Sequence, residues 1–501
     1  MSSPSQSYLA NLPVELLLIV AKFLPNSSSL AALVRTSRHM TDQLTATLYQ
    51  QDIRSGDCQA LWWSCANGKT SILSLTLGFG ANIDYLFKAQ RPRSQLPAQP
   101  ATKTPLLVAI SNGQLHIVRF LLDLGADVTI PARGCPLIVG IIDSFYGVKS
   151  PEIVQEMKDL VKTLIEKGAN PLYTTDWVCP LARVMIVNRA PLEMMELLFS
   201  HGADAMGQIG AERPARIWEW GVCGLRDRPE EEARLSLQKF RLLLQHSKVN
   251  ELVNANGDTI LHSLVDSCMS NRLTSNNRTS YLEVLLQEGV DVNMLSPIRG
   301  DTILERIAAR MDDLVVAKRN WLGVVVDTRV SQRDSFLIGQ ALIIRLLDAG
   351  AQPNATSTAS SFNLYGFGIL FKGSVLTTLV RCEWDANEAI SSLLQHGADT
   401  EITDLYGRGL LHLACIEASP NVAVVNTLLC FGLDPNKRDE KGRTALHALV
   451  GSPGNKESRR RVCKLLVKYG VDVYARDDGG KTAEKLGRKY YNILFYPFRI
   501  L

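Results

Sequence analysis

The chain has 501 residues, 46% hydrophobic and 21% charged, which is more than one hydrophobic core usually organises and too apolar for disorder, so several domains or an array are expected. Its 54 basic and 50 acidic residues are interspersed and leave a formal net charge of +4, which excludes a strong field toward nucleic acid or a membrane surface. The ten cysteines stand singly, with no C-x-x-C pair and no histidines at zinc-finger spacing. That pattern argues against a structural metal and a secreted disulfide scaffold, and no cofactor is expected.

At the N-terminus, Met1-Ser2-Ser3-Pro4-Ser5 lacks the basic region and cleavage pattern of a signal peptide, and the run Leu16 to Ala21 is too short to span a bilayer. A cytoplasmic or nuclear protein is expected, its thiols buried as small apolar side chains. Tyr8 to Gln51 reads as two short helices, split by Pro25-Asn26-Ser27-Ser28-Ser29, and a third around Leu44 and Leu48. Pro13 suits a first helical turn, and Leu16, Ile19, Val20 and Phe23 share one face while Leu17 and Leu18 point elsewhere. A small helical unit that is apolar on more than one side needs either a second surface packed on the rest of the chain or a partner.

From Ser55 onward one phrase recurs: an apolar pair, a few residues, then Gly-Ala/Val-Asp/Asn. It occurs at Leu121 to Val128, Leu164 to Asn170, Leu197 to Asp204 and Leu285 to Asn293, with looser copies turning at Gly80, Gly350, Gly397, Gly432 and Gly470. A second phrase precedes several copies, at Thr104 to Ala109, Thr259 to His262, Gly409 to Ala414 and Thr444 to Leu449. Each pair brackets one helical hairpin, with Thr capping the first helix and Gly supplying the left-handed residue after the second. Spacing is irregular, so insertions are expected at Arg91 to Thr102, Tyr146 to Pro151, Arg226 to Glu232, Met269 to Ser280, Met311 to Asp334 and Ala355 to Gly368. The units near Arg213 to Val253 and Gly300 to Asn354 fit either a degenerate repeat or unrelated helical packing. Arg459-Arg460-Arg461, beside the apolar Val462, Leu465 and Leu466, reads as a solvated helix face.

Catalytic signals fail on spacing. Gly68-Lys69-Thr70 and Gly480-Lys481-Thr482 lack the earlier glycine of a phosphate-binding loop, since Trp63 and Ala475 stand there. His262, His412 and His447 recur at one repeat position, as expected for rings that bond neighbouring turn backbone, and no Gly-x-Ser-x-Gly elbow occurs. No enzymatic activity is expected.

The recurring phrases resemble the ankyrin repeat, matched best by Thr102 to Thr129 and Tyr406 to Asp477. The resemblance implies a stack of hairpins that binds another protein on its concave surface and turn tips. Candidate substrate-binding tips are Tyr85 and Phe87, Thr129 and Ile130, Tyr173 and Thr174, Met294, and Thr403 to Tyr406.

The N-terminal segment resembles an F-box, on Leu12, Pro13, Glu15, Leu16 and Leu17, with Ile19, Leu24, Leu30, Leu33 and Arg35 at the later positions. An F-box followed by ankyrin repeats resembles proteins expanded in filamentous fungi. That resemblance implies docking of Leu12, Pro13, Glu15, Leu16, Leu17, Ile19, Leu24, Leu30 and Leu33 on the Skp-type adaptor of a cullin-RING ubiquitin ligase, with the repeats presenting a protein substrate. The alternative is an ankyrin scaffold or inhibitor with no ligase link, its N-terminal helices acting as a structural cap. The expected fold is all-α: an F-box-like domain over 8–51, an irregular ankyrin-repeat α-solenoid over 55–485, and an aromatic capping tail over 486–501.

Overall fold

Each recurring unit folds as a helical hairpin because both of its phrases carry apolar residues at helical spacing and each has its own stop. A computed structural model describes residues 12–24, 27–88, 102–130, 137–144, 150–172, 179–187, 190–205, 208–209, 215–216, 230–254, 257–269, 275–320, 329–355, 374–382, 384–417, 419–451 and 455–490. The chain divides into two units, Met1–Ile217 and Trp218–Leu501. Among the described residues both are helical, as expected, with only two-residue strands besides.

The first unit opens with a three-helix head: α1 (Val14–Phe23), α2 (Ser27–Val34) and α3 (Arg38–Ser55). Leu17 and Ala21 of α1, Leu30 and Val34 of α2, and Met40 and Leu44 of α3 make its core. Four hairpins follow, α4/α5 (Gln59–Asn67, Thr70–Gly78), α6/α7 (Pro105–Ser111, Leu115–Asp123), α8/α9 (Leu137–Ser144, Pro151–Glu166) and α10/α11 (Pro180–Ile186, Leu192–Ser200). The first helices α4, α6, α8 and α10 pack side by side in sequence order. Two short antiparallel ladders, β1 (Phe87–Lys88) with β2 (Thr102–Lys103) and β3 (Gln208–Ile209) with β4 (Ala215–Arg216), decorate this unit.

The second unit contains α12 (Glu230–Gln245), then α13/α14 (Ile260–Met269, Ser275–Gln287), α15/α16 (Ile303–Asn320, Arg329–Asp348), α17/α18 (Val375–Val380, Asn387–Gln395), α19/α20 (Leu410–Ile416, Val422–Cys430) and α21/α22 (Ala445–Gly451, Lys456–Lys468), and closes with α23 (Ala483–Tyr490). Here α13, α15, α17, α19, α21 and α23 form the row of first helices.

The expected helix stops are present. Gly125, Gly168, Gly289, Gly397 and Gly470 follow second helices with φ between 78° and 98°, the left-handed region in which a Cβ would be strained. Thr104 and Thr302 cap first helices, each hydroxyl accepting an N–H three residues on, at 3.2 Å.

The structure corrects several boundaries. The doubtful unit at Gly300 to Asn354 is a hairpin in the stack, because α15 packs on α13 and α17. The insertion expected at Met311 to Asp334 is largely lengthened helix: no Gly or Pro interrupts Ile303 to Asn320. Gly339 sits within α16 because α16 crosses close to its neighbours, and a Cβ there would lie 2.7 Å from Met311 Cγ. Helix α12 starts inside the Arg226 to Glu232 insertion, and α14 inside the one at Met269 to Ser280. The head does not end at residue 51, since α3 continues to Ser55. A tail beginning at 486 is also displaced, since Leu486 is within α23, which packs on α21.

Arg459 is the clearest correction. It is 1% exposed, not part of a solvated face. Its guanidinium donates to the Leu449 carbonyl of α21 and, at 2.9 Å, to the Glu417 carbonyl after α19. Arg461 does face outward and pairs with Glu457 at 3.1 Å. Replacing Arg459 by Ala strips two carbonyls of a donor, so Arg459→Ala is expected to lower stability by about 2–4 kcal/mol in urea titration. Arg461→Ala is expected to stay within about 0.5 kcal/mol of the parent chain.

Candidate functional site

Two sets of side chains tie consecutive repeats together. His412 Nε2 donates to the Arg443 carbonyl (2.8 Å) and His447 Nε2 to the Lys481 carbonyl (3.2 Å), each reaching the next repeat's turn. On its other nitrogen, His447 accepts from the backbone N–H of Thr444 at 3.2 Å. Burial lowers the pKa of His262, His412 and His447 below the ordinary 6.5, which favours the neutral ring. At the same repeat position α15 carries Glu305, whose Oε2 accepts from the Thr302 N–H (2.9 Å) and hydroxyl (3.1 Å), a capping box in place of the imidazole.

The second set escaped the sequence reading. Asn250, Asn293, Asn354 and Asn436 each donate to a glycine carbonyl of the following repeat, at Gly289, Gly350, Gly397 and Gly470, over 2.9–3.4 Å. Each side-chain oxygen accepts the N–H of Asp291, Gln352, Asp399 or Asp472 at 2.6–2.8 Å. The signal was available: Asn293, Asn354 and Asn436 all stand four places after a turn glycine. Glu401 interrupts this series and pairs with Lys437 at 2.6 Å.

With the framework residues assigned, two kinds of surface remain. Between consecutive first helices, charges cancel in pairs: Asp143 with Arg183, Asp266 with Arg310 at 3.0 Å, and Arg381 with Glu417 at 3.5 Å. The turn tips differ. Asp404 Oδ1 accepts the N–H groups of Tyr406 and Arg408, both at 2.9 Å, and Asp439 repeats the pattern with Lys441 and Arg443. Burial opposes ionisation of Asp439, but the bonds from Arg443 and Lys441 outweigh it and lower its pKa below the ordinary 3.8. Neighbouring tips are stitched by Glu440 N–H to Tyr406 O and Asp478 N–H to Lys441 O, both 3.1 Å. On this rigid row Leu405 is 64% and Tyr406 52% exposed, with the Arg408 guanidinium 4.8 Å from the Tyr406 ring centroid. Ile298 and Tyr474 are further exposed apolar side chains on turns of the same unit.

The candidate tip residues therefore separate. Tyr406 is displayed, Thr129 is exposed but bonded to Asp127 at 2.7 Å, and Ile130 and Met294 are half-buried. Phe87 is buried edge-to-face against Tyr85, whose hydroxyl donates to the Gly56 carbonyl, so this pair braces the fold. Tyr173 and Thr174 lie outside the described residues.

In the head, Leu16 (46% exposed), Ile19 (48%) and Phe23 (84%) form an apolar ridge along α1, flanked by exposed Pro13 and Glu15. Leu17 and Leu30 are core residues, and Leu12, Leu24 and Leu33 are partly buried against that core. They shape α1 and α2 rather than offer surface. Pro13 is the N-cap of α1, at the first turn it was expected to suit.

Among the described residues no helix is long and apolar enough to cross a membrane, and no group of three or more His, Cys, Asp or Glu is placed to hold a metal. Burial pushes the thiols of Cys65 and Cys415 up to about 12 and that of Cys463 to about 11, whereas Cys430 is exposed.

The hairpins α4/α5, α6/α7, α19/α20 and α21/α22 carry the ankyrin-repeat pattern. The ankyrin-repeat family pattern matches residues 26–132 and 378–483, and the first match begins within the head. Similar segments occur in an ADP-ribosylation factor GTPase-activating protein of Arabidopsis thaliana, 38% identical over 15% of this chain and 9% of that protein. A provisionally named E3 ubiquitin-protein ligase of Plasmodium falciparum is 35% identical over 13% of this chain and 1% of its own length. A provisionally named ankyrin repeat protein of Acanthamoeba polyphaga mimivirus is 34% identical over 14% of this chain and 9% of its own length. The chain thus spans less than a tenth of each of these relatives.

The neutral histidines set a pH dependence. Because their folded-state pKa is below 6.5, the unfolded chain binds more protons, and stability falls as pH drops below about 6.5. The contribution of Asp439 is lost only below its ordinary 3.8. Thermal midpoints recorded from pH 7.5 to 5 should therefore decline, and His412→Asn/His447→Asn should start lower and decline less steeply. Parallel curves would contradict this assignment.

Proposed function

We propose that the chain is a protein-binding adaptor in which α1 docks on the Skp-type adaptor of a cullin-RING ubiquitin ligase and the ankyrin tips hold a protein substrate. The observation that carries the first half is the Leu16, Ile19 and Phe23 ridge: three large apolar side chains, on one face of an otherwise well-packed head, match what a helix-docking partner buries. The second half is supported by the tip row at Leu405 and Tyr406, an aromatic and an aliphatic anchor on a hydrogen-bonded base. The ligand set supported is Pro13, Glu15, Leu16, Ile19 and Phe23 for the adaptor, and Leu405, Tyr406, Ile298 and Tyr474 for the substrate.

A second reading is a scaffold or inhibitor with no ligase link, the head serving as a cap of the stack. Two observations favour it: the ankyrin pattern begins at residue 26, inside the head, and α3 packs directly on α4.

The two readings separate in a pull-down of purified full-length protein against Skp-type adaptor and cullin. Leu16→Asp/Ile19→Asp/Phe23→Asp is expected to abolish capture while the far-ultraviolet signal and urea midpoint stay near those of the parent, since all three side chains are exposed. Absence of capture by the parent chain would leave the scaffold reading.

A further inference from the structure

The joint between head and first repeat is unusual in its bonding. Cys58 occupies the N-cap of α4 but its side chain makes no cap bond, and its φ is 45°. It is the one non-glycine residue with positive φ among those described, a conformation that costs roughly 1 kcal/mol and persists only when its surroundings impose it. The surroundings are those of Asp52, on the preceding helix. Asp52 is 5% exposed, and its Oδ1 and Oδ2 accept the N–H groups of Gln59 (3.1 Å) and Ala60 (2.9 Å), the first turn of α4. Its carbonyl accepts from the Cys58 N–H at 3.3 Å and from the Ser55 hydroxyl at 2.8 Å. One residue of α3 thus caps the helix that follows it.

Further bracing comes from both sides. The Tyr49 ring of α3 stacks on Phe79, after α5, with centroids 5.6 Å apart. Tyr85, beyond that turn, donates its hydroxyl to Gly56 in the α3–α4 connection. Meanwhile the other end of α3 holds the head, through Met40 and Leu44 packed with Leu17 and Ala21 of α1. Helix α3 is a single rod, packed into the head's core at one end and tied to the first repeat at the other.

We infer that Asp52 is a positioning residue: by capping α4 from α3 it fixes the direction of the docking helix α1 relative to the first repeats. This deepens the ligase reading and rests on it for its purpose, because α1 is where the adaptor would dock and a fixed joint sets the angle at which the first repeats leave it. The rigidity itself stands on the bonds above.

The test uses the full chain, carrying a ketone-bearing residue at exposed Lys22 on α1 and at exposed Asp123 on α7, each coupled to a spin label. Pulsed dipolar distance measurement should give one narrow distribution for the parent. Asp52→Asn, which replaces one acceptor oxygen by a donor facing an N–H, should widen that distribution at least twofold. Its captured adaptor should be unchanged, since α1 is untouched. A broad distribution in the parent chain overturns the inference without any variant, and an equally narrow one in Asp52→Asn, at an unchanged thermal midpoint, overturns the role of Asp52. Failure of the parent to bind adaptor would sink the ligase reading, while the distances would still decide the joint.

Discussion

Helix α6 is apolar on every side: Leu106, Leu107, Val108, Ala109 and Ile110 are all buried. A helix of that kind cannot fold with its own hairpin partner alone, and only neighbours on both flanks cover it. This requirement organises the rest of the molecule. It places the first helices in rows within each unit, and it confines the histidines and asparagines to seams, where the backbone of the next repeat supplies their partners. It also explains why Arg459 becomes buried, spanning a carbonyl within α21 and one just after α19.

The same requirement bears on the end of the row in each unit. A first repeat has an uncovered flank, and in this chain α3 meets α4 there, with Asp52 supplying the cap that Cys58 does not. In the second unit α23 lies on α21 and extends the row of first helices. Exposed surface is then left where stacking makes no demand: on the tips, whose conformation is held by Asp404 and Asp439 whatever the intervening residues are, and on the outer face of α1. A framework satisfied by aspartate, glycine and threonine leaves positions such as Leu405 and Tyr406 free to vary with the partner.

Much of this was legible in the residues. Thr caps and turn glycines announced the hairpins, since each has a local cause within a few positions, and the histidines announced them by recurring at one repeat position. What was not legible depended on partners distant in sequence. The hairpin at α15 and α16 was hidden because Glu305 replaces the histidine and because long helices filled what looked like an insertion. Arg459 looked solvated because its acceptors, Leu449 and Glu417, belong to other helices. Among the candidate site residues, period alone could not separate Leu17, which is buried, from Leu16, which is displayed, until α2 and α3 defined the core side of α1. Tyr85 and Phe87 looked like display residues for the same reason, and fold back onto the joint instead.

The central claim, that every hairpin in the second unit is held by its neighbours including the one with no recognisable signature, is tested most directly by hydrogen–deuterium exchange on the full chain. Amides of 303–311 and 336–347 should be protected to the same degree as those of 410–415 and 424–429, which have the clear repeat sequence. Exchange of 303–347 within seconds, while 410–429 remains protected, would contradict the account.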